Sequence, residues 1–280
     1  MLAEGWMHVV IRPASRGWLR IDQHLRTLAA YTDLLYTLSL HRISVRYKQT
    51  VAGVLWAVLQ PLLMMVIFTI VFSKLARIPS EGVPYALFAY TALLPWTLFS
   101  TAVANGTNSL VTHTQLITKV YFPREILPVT YLVAALFDFV MGLVVLALLM
   151  AWYRVPPTPY LLAVIPLLVL LCAWALAVML VLAAVQVRFR DVGVALPVIV
   201  QLWMFASPVI YPLSVVPGRW RWWYDVNPMT GIIAAFRDAL LQRPIGDVPA
   251  LQAGIVVTAV VLPIAYAFFK RAEATMADVI

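Results

Sequence analysis

Six long apolar runs, separated by short polar connections, dominate the chain. Each run holds about 18 or more mostly apolar residues, enough to cross the hydrocarbon of a bilayer as a helix. Prolines inside several runs predict kinks rather than breaks, because neighbouring helices can satisfy the freed carbonyls. The runs cover residues 54–75, 85–103, 126–150, 160–187, 194–211 and 248–269. The pattern predicts an all-α, polytopic membrane protein with six transmembrane helices.

A shorter amphipathic pattern precedes the first run. Apolar residues recur at helical spacing from Leu28 to Leu38, and basic residues that include Arg42 and Arg46 follow them. This pattern predicts an interfacial helix, which lies along the membrane surface. Such a helix can be a plain anchor or can contact a partner, and the pattern alone does not separate the two roles.

The connection between the last two runs is the most unusual part of the chain. Residues 207–241 are too apolar for an ordinary loop, yet their Pro, Gly, Arg and Asp residues rule out one continuous span. Irregular backbone at membrane depth is tolerated only where protein or a water-filled cavity satisfies its hydrogen bonds. The segment therefore predicts the lining of a path.

Two features stand out inside this connection. Asn227 and Pro228 suit a helix start, and the apolar stretch after them is too short to span a bilayer, which predicts a re-entrant helix. Before it lies an aromatic cluster over residues 220–224, rich in Trp. That cluster fits either a path lining or an interfacial aromatic belt.

Composition supports the membrane interpretation. Hydrophobic residues make up 63% of the 280 positions and charged residues 11%, against about 45–50% and about 25% in soluble domains. The six runs leave no room for a separate catalytic domain. We therefore divide the chain into an N-terminal cytoplasmic region, residues 1–53, and a transmembrane domain, residues 54–280.

Charge placement predicts orientation. The net charge is +8, but the basic residues stand at the ends of apolar runs, so they indicate topology and no nucleic-acid partner. Lys and Arg are more numerous in the connections on the N-terminal side of the membrane, which predicts that both termini are cytoplasmic. The first 50 residues hold no cleavable targeting pattern.

Catalytic chemistry is absent from the sequence patterns. No GxxxxGK[ST] motif occurs, so the chain does not bind ATP through a P-loop, and no metal-ligand spacing or GxSxG elbow is found. Asp138 is the only acid deep inside a run. It can carry ions, as in an ion-coupled secondary transporter or channel that works without an ATPase, or it can bond to a neighbouring helix.

Five segments in order carry a family resemblance: RYKQTVAGVLWAVLQP, ITKVYFPREILP, VRFRDV, SPVIYP and NPMTGIIAAFRDALL. Together they resemble the permease subunit of type-2 ABC exporters, of the class that exports lipid-linked polysaccharides such as O-antigen and teichoic acid. The resemblance implies a homodimer in the bacterial inner membrane, surrounded by membrane lipids, with two copies of a cytoplasmic ATPase subunit. ATP and Mg would bind to that partner, and this chain would need no cofactor.

The resemblance also implies roles for particular segments. The N-terminal helix would be an interface helix, and residues 117–125 would form a coupling helix that docks into the ATPase. The pieces after Tyr211 would be re-entrant gate helices on the outer side, in a gate region over about residues 212–245. The residues expected to couple to the ATPase are Arg42, Arg46, Lys119, Tyr121, Phe122, Pro123, Arg124 and Glu125.

A long sugar polymer requires weak, repeated contacts, which aromatic faces provide at low cost in rotamer entropy. We therefore expect aromatic residues to line the channel and the gate, together with the asparagine at the start of the re-entrant helix. These residues are Trp96, Phe99, Trp203, Phe205, Tyr211, Trp220, Trp222, Trp223, Tyr224 and Asn227.

Overall fold

The computed structural model describes residues 31–48, 53, 55–156 and 158–279, and every regular element within these ranges is helical. The α-helices, numbered in chain order, are α1 Thr32–Lys48, α2 Leu55–Phe68, α3 Tyr85–Thr112, α4 Thr114–Lys119, α5 Ile126–Trp152, α6 Val164–Arg188, α7 Asp191–Phe205, α8 Gly218–Val226, α9 Pro228–Leu240 and α10 Val248–Val279. A π-helical segment, Thr69–Leu75, continues α2. Short 3-10 turns lie at Pro159–Ala163, before α6, and at Leu213–Val215, before α8. The prediction of an all-α protein is confirmed.

Five helical segments of the described chain are long and apolar enough to cross a membrane. They are Leu55–Leu75, Tyr85–Thr112, Ile126–Trp152, Pro159–Arg188 and Val248–Met276. Each coincides with one of the predicted runs. Pro61, Pro95 and Pro263 lie inside helices that continue past them, as expected for membrane helices whose neighbours satisfy the freed carbonyls.

The remaining predicted span, residues 194–211, is shorter than expected. Helix α7 has 15 residues and ends at Phe205, so its length is about 22 Å, against about 30 Å of hydrocarbon. An irregular segment, residues 206–212, follows it. Pro208 and Pro212 explain the early end, since proline lacks a backbone donor and disfavours helical backbone in the residue before it. The count of six spans stays a prediction.

Helix α3 forms the centre of the bundle. Most of it is buried, including the large side chains of Phe88, Tyr90 and Phe99, and α5, α6 and α9 pack around it. By contrast, only about a fifth of the residues in the membrane windows of α2 and α10 are buried (22% for each), and both helices carry exposed apolar side chains. Helices that are apolar on an exposed face require lipid or another protein chain as their surroundings.

The helices alternate in direction, so their ends gather at two levels. At one level, which we call the α1 end, the residues around α1 and α4 join the ends of α6 and α10 in an apolar cluster that includes Ile117, Phe122, Val187 and Phe269. At the opposite level, the α8 end, α8 and α9 pack against the start of α10. Any path through the protein therefore connects these two ends.

A close backbone approach holds α9 against α10. A Cβ atom on Gly231 would overlap the carbonyl group of Ala250, and one on Gly254 would lie 3.3 Å from the carbonyl oxygen of Pro228. Glycine is needed at Gly231 because the obstacle is backbone, which cannot rotate away as a side chain does.

We predict that Gly231→Ala separates α9 from α10 and destabilises the folded protein by about 1–3 kcal/mol, the usual result of overpacking. Thermal unfolding of the detergent-purified protein, followed by size-exclusion chromatography, measures this effect. Gly218→Ala is the matched control, because nothing lies within 4 Å of its Cβ position. Equal unfolding temperatures for the two variants would show that the approach does not hold α9 in place.

Candidate functional site

Polar contacts attach α1 to the bundle. The Arg42 guanidinium donates to Nε2 of His113 at 2.8 Å and lies 3.8 Å from the centre of the Tyr131 ring. This combination of a hydrogen bond and a cation–π contact points Arg42 toward α3 and α5. The side chain that the sequence assigned to an ATPase contact is thus engaged within the chain.

Asp138 of α5 is bound by the C-terminal turn of α1. Arg46 pairs with its Oδ2 atom at 2.5 Å, and the Tyr47 hydroxyl donates to Oδ1. Burial, together with this hydrogen bond, raises the pKa of Tyr47 above its usual range. Its hydroxyl therefore stays protonated at neutral pH and remains a donor to the carboxylate.

The carboxylate of Asp138 borders a small cavity between three helices. Ala57 and Pro61 of α2 and Leu94 and Leu98 of α3 line the same cavity. Of the two roles left open, a bond to a neighbouring helix is the one that the structure displays.

The segment after α3, residues 114–125, is called here the α4 segment. Its helix ends at Lys119, and Val120 is extended. The expected helix over residues 117–125 is therefore wrong in its second half, because Pro123 forces the residue before it out of the helical region. Lys119 and Tyr121 are exposed, whereas Phe122 is buried.

A buried ionic network joins the α4 segment to α10. Glu125 is 3% exposed; it accepts from Lys270 Nζ at 2.7 Å and from the Tyr266 hydroxyl at 3.2 Å. Lys270 also pairs with Glu273 at 2.8 Å, and Glu273 accepts from the backbone N–H of Arg124 at 2.9 Å. Removal of one partner from such a network leaves a buried charge uncompensated, which is strongly destabilising.

At the α8 end, side chains satisfy the irregular backbone of residues 206–212. The buried Arg237 of α9 donates to the carbonyl oxygens of Pro208 at 2.7 Å and Val209 at 3.0 Å. Tyr85 donates to the carbonyl oxygen of Ile210 at 2.7 Å. Unsatisfied backbone groups are costly in an apolar surrounding, so these bonds allow the chain to break its helix at this position.

Asn227 connects α9 to the irregular segment. Its Oδ1 accepts from the backbone N–H of Met229 and from Nε1 of Trp203, both at 3.1 Å. Its amide donates to Oγ of Ser207 at 2.9 Å. Asn227 is thus the N-cap of α9, as its sequence position predicted, and it also fixes α9 to α7.

The aromatic residues expected along a channel fall into two groups. Trp96 and Phe99 are buried within the chain, and Trp203 packs edge-on against Phe99 with ring centres 5.1 Å apart. Another set of rings is exposed at the surface of the single chain: Phe205, Trp220, Trp222 and Trp223. Only this second group is free to meet a ligand, lipid or second chain without rearrangement.

Two tyrosines lie between these groups. The Tyr211 hydroxyl donates to the carbonyl oxygen of Phe205 at 2.6 Å and lies 2.7 Å from the Tyr224 hydroxyl, which therefore donates to it. With Trp220 they line a largely apolar cleft of about 490 Å³. The hydroxyl bond attaches α8 to the segment that follows α7.

Comparison with known sequences assigns this architecture to a family. The sequence profile described as ABC-2 type transporter matches residues 33–241, well over half of the chain. This protein belongs to the ABC-2 type transporter family. The match begins in α1 and ends just after α9, so the α4 segment and both short helices of the α8 end belong to the shared ABC-2 region.

Individual relatives are similar over most of their length. The O-antigen export system permease protein of Myxococcus xanthus is 31% identical over 258 residues, which cover 91% of this chain and 98% of the relative. An O-antigen export system permease protein of Klebsiella pneumoniae is 26% identical, covering 75% and 81%. The polysialic acid transport protein of Escherichia coli is 23% identical, covering 85% and 93%.

Sequence reasoning missed three charged residues of this ABC-2 protein. Arg237 received no role from the sequence patterns, although it follows Phe236 in an apolar run, a position that indicates burial. Lys270 and Glu273 stand three residues apart on one helical face. Their spacing was visible, but their partner Glu125 is far away in the sequence, and no local pattern identifies it.

We predict that Asp138 variants loosen α1 in proportion to the contacts that they remove. Asp138→Asn keeps an acceptor for Tyr47, whereas Asp138→Ala loses the bonds to both Tyr47 and Arg46. Maleimide labelling of Ser39→Cys, a buried position in α1, in a Cys172→Ser background measures the opening. We expect the alanine variant to label roughly tenfold faster, since about 1.4 kcal/mol corresponds to tenfold, and the asparagine variant to label at an intermediate rate.

The same variants test the ion-carrying alternative. If labelling of α1 is unchanged while transport is lost in Asp138→Asn, then Asp138 acts on a transported ion and its attachment of α1 is secondary.

Proposed function

We propose that this chain is the channel-forming permease subunit of an ATP-driven exporter, which moves a lipid-linked polysaccharide from the cytoplasm across the bacterial inner membrane. The observation that carries the proposal is the similarity to the Myxococcus xanthus O-antigen export system permease protein over almost the whole of both chains. A second relative is named for transport of polysialic acid, which is also a sugar polymer. The substrate class follows from these relatives.

The proposed energy source is a cytoplasmic ATPase subunit, present in two copies, that binds ATP and Mg. The α4 segment supports this role, because it presents the exposed side chains of Lys119 and Tyr121 while Phe122 and Glu125 anchor it to the bundle. A segment whose exposed residues contact the ATPase and whose buried residues are packed in the bundle would transmit its displacement to the neighbouring helices. Such rigid attachment suits a docking element.

A homodimer would complete the channel. Helix α7 exposes an apolar stripe of Val194, Val198, Leu202 and Phe205, and these residues recur on one face of the helix. A second copy would cover such a stripe. The exposed rings at the α8 end would then face the dimer axis, where they can contact successive sugars weakly.

Helices α8 and α9 would be the gate. Helix α9 is fixed to the bundle through Asn227 and Arg237, whereas α8 buries none of its residues. An element with few buried contacts opens at low free energy. Helix α8 is therefore the part that moves when polymer passes.

We predict that Tyr121→Ala uncouples ATP hydrolysis from export without unfolding the permease, since this side chain is 66% exposed. Phe122→Ala and Arg124→Ala should also lower export, because they weaken the attachment of the α4 segment to the bundle. Phe122→Ala removes a buried ring and should lower the stability more, by about 3–5 kcal/mol. Polymer-stimulated ATPase activity and export by the complex reconstituted in vesicles are the measurements.

Tyr153→Ala is the matched control, because it removes a partly exposed tyrosine at the opposite level of the bundle. If export and ATPase stimulation are unchanged in Tyr121→Ala, Phe122→Ala and Arg124→Ala, the α4 segment does not couple to the ATPase. Export driven by an ion gradient with no ATPase present would support the ion-coupled alternative instead.

We predict that α8 faces the outside. In a Cys172→Ser background, Arg219→Cys should react with a membrane-impermeant maleimide added to intact cells, and Lys119→Cys should react only after the membrane is opened. Both positions are exposed, so reactivity reports sidedness rather than burial. The reverse labelling pattern would overturn the orientation and, with it, the outer gate.

A further inference from the structure

We propose that α10 is the element that links the α4 segment to the gate, with Glu125, Lys270 and Asp247 as its positioning residues. The inference rests on the proposed function, since it assigns a route between the ATPase docking element and α8. It starts from one observation: within the described chain, this single helix is bound by ion pairs to both of those elements.

Helix α10 is long enough to reach both. Its 32 residues correspond to about 48 Å at 1.5 Å per residue, against about 30 Å of hydrocarbon. It therefore projects beyond the membrane. Pro263 removes one backbone hydrogen bond, but the helix continues past it to Val279, so both attachments stay on one continuous element.

The attachment at the α1 end is buried and charged. Lys270 lies between Glu125 of the α4 segment and Glu273 of its own helix, and the Arg124 guanidinium also donates to the carbonyl oxygen of Glu273 at 2.7 Å. Displacement of the α4 segment alone would separate Glu125 from Lys270 in a buried site, at a cost of several kcal/mol. Movement of α10 together with the α4 segment avoids that cost.

The attachment at the α8 end has two parts. Arg221 of α8 pairs with Asp247, the residue just before α10, and with Asp225 of its own helix at 3.0 Å. Helix α9 is held by backbone packing instead, where Gly231 meets Ala250. Movement of the α10 start is thus transmitted to α8 through a side-chain ion pair, while α9 stays in direct contact.

Between its attachments α10 packs through one face. That face lies against α6, whereas Val256, Val260 and Ile264 are exposed. A helix with one packed face can tilt or slide against its neighbours with small changes in contact. Charged attachments at both ends of one helix that can move as a body are the properties that a mechanical link requires.

The resulting cycle has two states. When the ATPase displaces the α4 segment, α10 follows through the Glu125–Lys270 pair, and the Asp247–Arg221 pair then moves α8 away from Tyr211. The ATPase can drive this change only if it binds one of the two states more tightly. Coupling through any other part of the packed core would not depend on these two ion pairs. Disruption of either pair therefore tests the proposal.

The test follows the gate directly in the complex with its ATPase, reconstituted in vesicles. Val216→Cys, at a half-buried position in the cleft between Tyr211 and α8, is placed in a Cys172→Ser background and labelled with a membrane-impermeant maleimide. Labelling rates are compared without nucleotide and with a non-hydrolysable ATP analogue. In the parent protein we expect the two rates to differ.

Variants at the two attachments should both abolish the nucleotide dependence, but at different labelling rates. Lys270→Met should abolish the nucleotide dependence and hold the rate at its resting value, because α10 no longer follows the α4 segment. Asp247→Asn should also abolish the dependence but with a raised rate in both states, because α8 is released. If the two ion pairs were merely structural, both variants would lower stability without this difference between their labelling rates.

Two further variants control for misfolding and for nonspecific effects of substitutions in α10 and its neighbours. Glu125→Gln combined with Lys270→Met removes the buried Glu125–Lys270 pair, so it avoids an unpaired carboxylate at Glu125 while still cutting the link. Glu273 loses Lys270 but keeps the backbone N–H of Arg124 as a donor. Arg188→Gln removes an exposed 3.3 Å contact to Thr275 on the same end of α10, and should retain the full nucleotide response.

If the parent responds to nucleotide and the variants at both attachments respond equally, the link through α10 is refuted while the proposed transporter stands. If the ATPase binds but the parent gate never responds, the gate assignment and the link both fail.

Discussion

Hydrogen bonding of backbone in an apolar surrounding is the constraint on which this structure depends. Helices satisfy their own N–H and C=O groups, so the membrane helices need no help. Residues 206–212 cannot do so. Arg237 and Tyr85 donate to their carbonyl groups, and this places a charged side chain in the core, over the Phe88 ring. Those donors come from α3 and α9, and they allow the break in the helix pattern that precedes the two short helices α8 and α9.

The same reasoning explains where the other buried charges lie. Asp138 and Glu125 each gain a cation and a tyrosine hydroxyl from a different helix. Each carboxylate therefore ties together segments that are far apart in the sequence. Under the proposed function these segments would move, and the free-energy cost of separating a buried ion pair would keep them moving together.

The exposed side chains complement this internal framework. Tyr121 and the α7 stripe project from elements whose other faces are packed, and Trp222 projects from α8. Under the proposed function they would contact an ATPase, a second copy and substrate respectively. A polymer that passes residue by residue needs surfaces that bind weakly and release easily. Exposed aromatic rings meet that need better than a closed pocket, and the buried rings of Trp96 and Phe99 pack in the core.

The sequence by itself determined the helical class, the apolar runs, the N-cap at Asn227 and the unusual nature of residues 207–241, because these depend on local periodicity, composition and turn chemistry. It also carried the family resemblance. It misplaced the end of α4, and it did not reveal the partners of Asp138, Glu125 and Arg237. Those partners were decided only by the tertiary structure, since their residues lie between 28 and 145 positions apart, and no local pattern records which distant side chain will pack beside a given charge.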